Sequence, residues 1–132
     1  MNIGEAARQS GVSAKMIRHY EAIDLLPPAA RRENSYRDYG EQDVFELRFI
    51  KRARKLGFST AEIAALLALW RDRSRPSGDV RRIAHAHLID LEDRIREMQS
   101  IAETLRVLVD ACHGDSRPDC PILSDLSGGS RL

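Results

Sequence analysis

The chain has 132 residues, about the length of one ordinary domain, with 42% hydrophobic and 31% charged residues and a formal net charge of +1. This balance predicts a folded chain, and the net charge does not by itself indicate a nucleic-acid partner. The N-terminus lacks a basic-then-apolar secretory pattern, and no run of about 18 apolar residues is present, which together favour a cytoplasmic protein without a membrane partner.

The first 23 residues predict two short helices joined by a turn. Residues 3–10 place apolar side chains at helical spacing, and Gly11 can adopt the positive φ that ends a helix. Ser13 is a suitable N-cap for a second helix, which covers residues 14 to about 23. These elements predict a helix-turn-helix, a pattern that is common and not specific by itself.

The amino-acid composition changes over residues 24–40. Pro27 and Pro28 end the second helix there. Basic, polar and aromatic residues then alternate over a short extended stretch: Arg31, Arg32, Asn34, Tyr36, Arg37 and Tyr39. The stretch predicts a small β-ribbon, or wing, and its composition favours nucleic-acid contact over the alternative of a solvated charged loop. The first 56 residues also carry 11 Lys and Arg against 8 Asp and Glu, a weak indication in the same direction.

Three more helices are predicted beyond the wing. Residues 41–56 show helical spacing up to Gly57, a fourth helix follows over residues 60–70, and residues 71–78 form a linker with a proline and a glycine. Residues 79–111 then contain neither glycine nor proline. Apolar residues recur there at alternating steps of four and three: Ala84, Leu88, Leu91, Ile95, Met98, Ala102, Leu105 and Val109.

This alternation predicts the seam of a coiled coil. One helix cannot bury such a seam alone, so we expect a homodimer. The helix would be roughly 48 Å long at about 1.5 Å per residue. In an antiparallel pair, its end would lie beside the N-terminal domain of the other chain.

Cys112 and Cys120 are the only cysteines, and they enclose a short polar loop. Two thiols suit a soft metal ion or a disulfide, but they do not supply the four ligands of a structural zinc site. The expected cytoplasmic location, where thiols stay reduced, weakens the disulfide alternative. His113 could add a third ligand, but a solvent-facing position is favoured for it, and His85 and His87 are expected on the surface.

Pro121 bears on the chemistry of Cys120. Proline favours the first position of a helix, so residues 122–126 are predicted to form a short helical turn directly after Cys120. The N-terminal end of a helix favours negative charge, which predicts a lowered pKa for the Cys120 thiol.

Several segments together resemble the MerR family of transcription regulators. The resemblance rests on residues 13–21 (SAKMIRHYE), 33–39 (ENSYRDY) and 57–59 (GFS). The C-terminal residues 111–122 (ACHGDSRPDCPI) resemble the copper-responsive, CueR-type branch of that family.

The resemblance implies a mainly α fold in three parts. Residues 1–75 would be a winged helix-turn-helix DNA-binding domain, residues 76–111 a linker and an antiparallel coiled-coil dimerisation helix, and residues 112–132 a metal-binding loop and tail. It also implies a homodimer bound to double-stranded promoter DNA. On binding Cu(I), or Ag(I) or Au(I), the dimer would distort the promoter so that RNA polymerase engages it, activating copper-efflux and detoxification genes.

The resemblance also assigns residues. The second helix would enter the major groove with Lys15 and Arg18, while other side chains contact or clamp the DNA backbone. Those other side chains are Tyr20, Arg31, Tyr36, Arg37 and Arg54. At the metal end, Cys112 and Cys120 would be the ligands. Ser77 occupies the position where divalent-metal relatives carry a cysteine, which favours a monovalent ion.

Two other classes of function are alternatives. The chain could be a thiol redox sensor that forms a Cys112–Cys120 disulfide, although the spacing differs from the Cys-x-x-Cys of thioredoxin-like enzymes. A small-molecule sensor would need a larger ligand-binding domain than the roughly 20 residues that follow the long helix. No set of catalytic residues indicates an enzyme.

Overall fold

The computed structural model describes residues 1–27, 30–31 and 37–128, and for Ala30, Arg31 and Arg37 it describes the backbone alone. The described residues form six α-helices and one two-stranded ribbon. In chain order the elements are α1 (Ile3–Ser10), α2 (Ala14–Ala22), β1 (Ala30–Arg31), β2 (Arg37–Asp38), α3 (Glu41–Lys55), α4 (Thr60–Arg71), α5 (Ser77–Ala111) and α6 (Pro121–Leu126). The predicted fold class is confirmed: a helix-turn-helix, a short ribbon and a long helix in a mainly α chain.

Local signals set the helix ends in the helix-turn-helix. The Asn2 side chain accepts a hydrogen bond from the Glu5 N–H at 2.8 Å, and Ser13 Oγ accepts one from the Met16 N–H at 3.2 Å. Between the two helices, Gly11 adopts a φ of 75°, which a residue with a Cβ rarely tolerates. The predicted N-cap and turn are therefore confirmed.

The ribbon is antiparallel, with Ala30 opposite Asp38 and Arg31 opposite Arg37. Tyr39, directly after the ribbon, lies in the core, where its hydroxyl donates a 2.5 Å hydrogen bond to Glu21 Oε1. The Tyr39 N–H also donates to the carbonyl oxygen of Met1 at 2.7 Å. These contacts join the base of the ribbon to α2 and to the start of the chain.

The chain divides into two compact units, Met1–Ala84 and His85–Leu132. The first has a hydrophobic core between α1, α2, α3 and α4. Its largest fully buried side chains are Ile17, Leu26, Tyr39, Leu47, Ile50, Ile63 and Leu67. The three-part division expected from the sequence remains a prediction, and the observed boundary falls within α5.

Helix α5 begins at Ser77, two residues before the predicted start, because Pro76 stands just ahead of the first turn and Gly78 is accommodated within it. Beyond residue 84, its apolar seam is exposed in the single chain, as at Ile95 (53%) and Met98 (68%). His85 is exposed as expected, but His87 is buried at 6% exposure, so its predicted surface position is wrong. Within the described residues, no helix is both long and apolar enough to cross a membrane.

Candidate nucleic-acid interface and metal loop

Helix α2 separates buried from exposed side chains. Ile17 and Tyr20 lie in the core, whereas Lys15 and Arg18 are exposed. Lys15 and Arg18 stand three residues apart and so share one face of the helix. The helix therefore presents two cations to solvent while its other face anchors it to the domain.

Tyr20 is tied to a second predicted DNA-binding residue. Its ring is buried at 5% exposure, and its hydroxyl accepts a 2.7 Å hydrogen bond from Nη1 of Arg54 at the end of α3. The family resemblance predicts that each residue contacts the DNA backbone. It does not predict the hydrogen bond between them, because they are 34 positions apart.

A cavity of about 410 Å³ opens beside this pair, between the α1–α2 turn and the end of α3. Besides Tyr20 and Arg54, its lining includes Lys51 and Lys55, which are not among the predicted DNA-binding residues. A Cβ on Gly11 would lie 2.5 Å from Nζ of Lys51, so this ammonium lies directly against the turn. The spacing of residues 51, 54 and 55 along one helix was a signal available in the sequence.

The wing is only partly described. The backbones of Arg31 and Arg37 are paired in the ribbon, and Tyr36 lies outside the described residues. The wing contacts expected of these three residues therefore remain predictions.

The two cysteines come together at the other end of the chain. Cys112 directly follows α5, where its N–H still donates to the Leu108 carbonyl at 3.1 Å, and Cys120 is the N-cap of α6. Their sulfurs are 3.9 Å apart, and both residues are half-buried. Two metal–sulfur bonds of about 2.3 Å each can span up to about 4.6 Å, so both sulfurs can reach one ion.

The surroundings of Cys120 favour its thiolate. The backbone N–H of Leu123 is the largest influence lowering the pKa of the Cys120 thiol; burial opposes it, and the Ile122 N–H and the Cys112 thiol lower the pKa further. Pro121 occupies the first turn of α6, as predicted. The predicted direction of the pKa shift is confirmed.

Other ligands are scarce around the sulfurs. His113 is exposed, and among the described residues no three His, Cys, Asp or Glu side chains are grouped closely enough to hold a metal ion. Ser77 is the first residue of α5 and is exposed. The donor set thus consists of two thiols, a combination that suits a soft, low-coordinate ion.

The sequence matches two family models. The model described as "MerR HTH family regulatory protein" matches residues 1–69, and the one described as "MerR, DNA binding" matches residues 44–108. The chain is 57% identical over 130 residues to the heavy metal-dependent transcription regulator 2 of Rhizobium meliloti, covering 98% of this chain and 88% of the relative. It is 41% identical over 128 residues to the transcriptional regulator CueR of Escherichia coli O6:H1, covering 97% and 95% of the two chains.

A solved structure agrees with these matches. The transcription regulator PbrR691 from Ralstonia metallidurans, crystallised with lead(II), superposes with a TM-score of 0.86 at 30% identity, covering 96% of this chain and 98% of that one. The fold of this chain thus recurs in a regulator of known structure. With these matches over nearly its whole length, the chain belongs to the MerR family of transcription regulators.

Proposed function

We propose that this protein is a metal-responsive transcriptional activator that binds promoter DNA as a homodimer and responds to Cu(I), or to Ag(I) or Au(I), through two thiolates. The observation that carries the proposal is the pair of half-buried sulfurs 3.9 Å apart at the end of the long helix. The relatives named as heavy metal-dependent regulators and as CueR support the same reading.

The choice of a monovalent ion rests on the donor set. Cu(I) is soft and accepts two thiolates, whereas zinc usually takes about four N or S ligands. Ser77 supplies a hydroxyl, a poor ligand for soft metals, where divalent-metal relatives are expected to carry a cysteine. The lead-bound relative shows that a divalent ion has to be included in any test.

Metal binding at the two sulfurs would be coupled to the position of α6. Binding of both sulfurs to one ion closes the loop between Cys112 and Cys120, which ties α6 to the end of α5. Leu123 and Leu126 of α6 are 65% and 73% exposed in the single chain. A change in the position of α6 would alter where this apolar surface packs in the dimer, and the long helices would transmit the change to the promoter-bound ends.

An in vitro transcription assay tests the proposal. The wild-type protein first selects its preferred sequence from random duplexes, and that sequence is placed between the −35 and −10 elements of a reporter promoter. Reduced protein and RNA polymerase are then supplied with Cu(I), Ag(I), Zn(II), Pb(II) or a hydroperoxide. We expect activation by Cu(I) and Ag(I), and loss of activation in Cys112→Ser and Cys120→Ser without loss of DNA binding.

The other outcomes contradict specific parts of the proposal. Activation by the hydroperoxide without metal would establish the alternative of a thiol redox sensor with a Cys112–Cys120 disulfide. Activation by Zn(II) or Pb(II) at concentrations as low as Cu(I) would refute the monovalent preference. Ser77→Cys serves as a gain-of-response control, since it adds a soft ligand, and it is expected to raise the response to Zn(II).

A further inference from the structure

We infer that the cavity between the α1–α2 turn and the end of α3 is a second DNA-phosphate site, formed by Lys51, Arg54 and Lys55, in which the buried Tyr20 hydroxyl positions Arg54. The inference rests on the proposed DNA-binding function and deepens it. It adds Lys51 and Lys55 to the DNA-binding residues and gives Tyr20 an indirect role in place of an independent phosphate contact.

The charge balance of the cavity is the first argument. Three cations line it, and its lining contains no carboxylate. Within the described part of the chain, none of the three forms an ion pair with an Asp or Glu. All three are exposed on one face of α3, so the local potential is positive and attracts an anion.

The second unit provides a contrast. Four of its arginines form ion pairs with a carboxylate two to four positions away in the sequence. The pairs are Arg94 with Asp90, Arg96 with Asp93, Arg106 with Glu103 and Arg117 with Asp115. The cations of the cavity instead lie on α3 beside one another. Their charge is therefore available to a ligand, whereas much of the arginine charge in the second unit is neutralised within the chain.

The position of the cavity identifies the anion. Ser13 and Met16, at the start of α2, belong to the same lining, and α2 is the helix that carries Lys15 and Arg18 on its exposed face. When α2 enters a major groove, the backbone phosphates that border the groove flank its N-terminal end. A phosphate of the same duplex is thus the anion that this geometry would place in the cavity.

Tyr20 gives the site its rigidity. A free arginine side chain loses rotamer freedom when it binds a phosphate, and this lost entropy opposes binding. The 2.7 Å hydrogen bond from Arg54 Nη1 to the Tyr20 hydroxyl holds the guanidinium in place before DNA arrives, because the Tyr20 ring is fixed in the core. Tyr20 is therefore a positioning residue for Arg54.

The experiment measures DNA affinity as a function of salt. The probe is a fluorescent duplex selected from a random pool by the wild-type protein, titrated without added metal between about 50 and 200 mM salt. Each phosphate neutralised contributes about 0.9 to the slope of log affinity against log salt, so one lost cation per protomer lowers the slope of a dimer by about 1.8. We expect this loss in Lys51→Ala, Arg54→Ala and Lys55→Ala, together with affinities about tenfold lower.

Tyr20→Phe tests the positioning role, because it removes the hydroxyl and keeps the ring. We expect weaker DNA binding by Tyr20→Phe alone and no further weakening when it is combined with Arg54→Ala, since the hydroxyl acts through Arg54. A structural role would weaken binding equally in both backgrounds, and that result would overturn the positioning role. Circular dichroism and the dimer mass verify that each variant is folded.

Matched variants separate this inference from the proposed function. Arg52→Ala removes one exposed cation from the same helix outside the cavity lining, and it should keep the wild-type slope. Arg18→Ala should abolish binding to the selected duplex. Wild-type slopes in the Lys51 and Lys55 variants, with Arg18→Ala inactive, would overturn the second phosphate site alone, whereas unchanged binding by Arg18→Ala would contradict the proposed mode of DNA binding.

Discussion

At the scale of single residues, α6 acts on one of the two cysteines, whose sulfurs are 3.9 Å apart. Cys120 occupies the N-cap position of α6, and the pKa of its thiol is lowered chiefly by the Leu123 N–H. Cys112 directly follows α5, and its thiol makes a smaller contribution to lowering the pKa of Cys120. The structure therefore favours the thiolate of Cys120, the form in which a thiol binds a soft metal.

The surroundings of Cys120 predict a shifted titration of its thiol. A lowered pKa means that the thiolate of Cys120 persists as the pH falls below the usual titration range of a cysteine. We expect the rate of iodoacetamide alkylation of Cys120, measured on metal-free reduced Cys112→Ser, to reach half its maximum at a lower pH than that of free N-acetylcysteine. A midpoint equal to or above that of N-acetylcysteine would show that α6 does not stabilise the thiolate in solution.

At the scale of helices and strands, α4 is attached to α3 by an ion pair as well as by the core. Nε and Nη2 of Arg71 donate to the two carboxylate oxygens of Glu46 at 2.7 and 2.8 Å. Glu46 is buried, and the same hydrogen bonding is the main cause that raises the pKa of Arg71. The pair holds the C-terminal end of α4 against α3, just ahead of the segment that leads into α5.

We expect Arg71→Met to lower the free energy of unfolding by about 2–3 kcal/mol, because it leaves the Glu46 carboxylate buried without its partner. This is below the full cost of breaking a buried pair, since the Arg71 side chain is 38% exposed and screened by water. Urea unfolding at one fixed protein concentration measures the change. Arg73→Met is the control for the loss of an exposed arginine, and similar stabilities of the two variants would mean that the pair adds little.

At the scale of the whole molecule, the exposed seam of α5 requires a partner. Leu88, Ile95 and Leu105 are about half exposed in the single chain, at 51%, 53% and 48%. Apolar side chains repeated along one face of a helix are stabilised when a second helix covers them. A second copy of α5 is the partner that the seam itself can supply, which supports the proposed homodimer.

Placing a charge in the centre of this seam should break the dimer. We expect Ile95→Glu to raise the dimer dissociation constant by about a hundredfold or more, since pairing would bury carboxylates without partners. Sedimentation over a range of concentrations measures this change. Ala86→Glu adds the same charge on the outward face of α5 and should remain dimeric. An Ile95→Glu dimer as tight as that of Ala86→Glu would place the interface elsewhere.

Much of the fold followed from local signals in the sequence. Helix ends lie where Gly11, Ser13 and Pro121 predict them. The positive φ of Gly11, the N-cap hydroxyl of Ser13 and the fixed φ of Pro121 each act within a few residues. The apolar seam of α5 and the two thiols were also predictable, since a heptad pattern and a residue type are properties of the sequence and need no tertiary contact. The metal preference and the DNA-binding assignments stay predictions at the level of individual residues.

The tertiary structure decided the contacts between residues far apart in the chain. The sequence by itself determined the order of the helices, the exposed seam and the presence of a soft ligand pair. Only the packed domain brings Arg54 to the hydroxyl of Tyr20, Arg71 to Glu46 and Lys51 to the Gly11 turn. The physical reason is that helix ends and periodic patterns depend on neighbours in sequence. Contacts between distant residues depend instead on how the folded helices pack around one core.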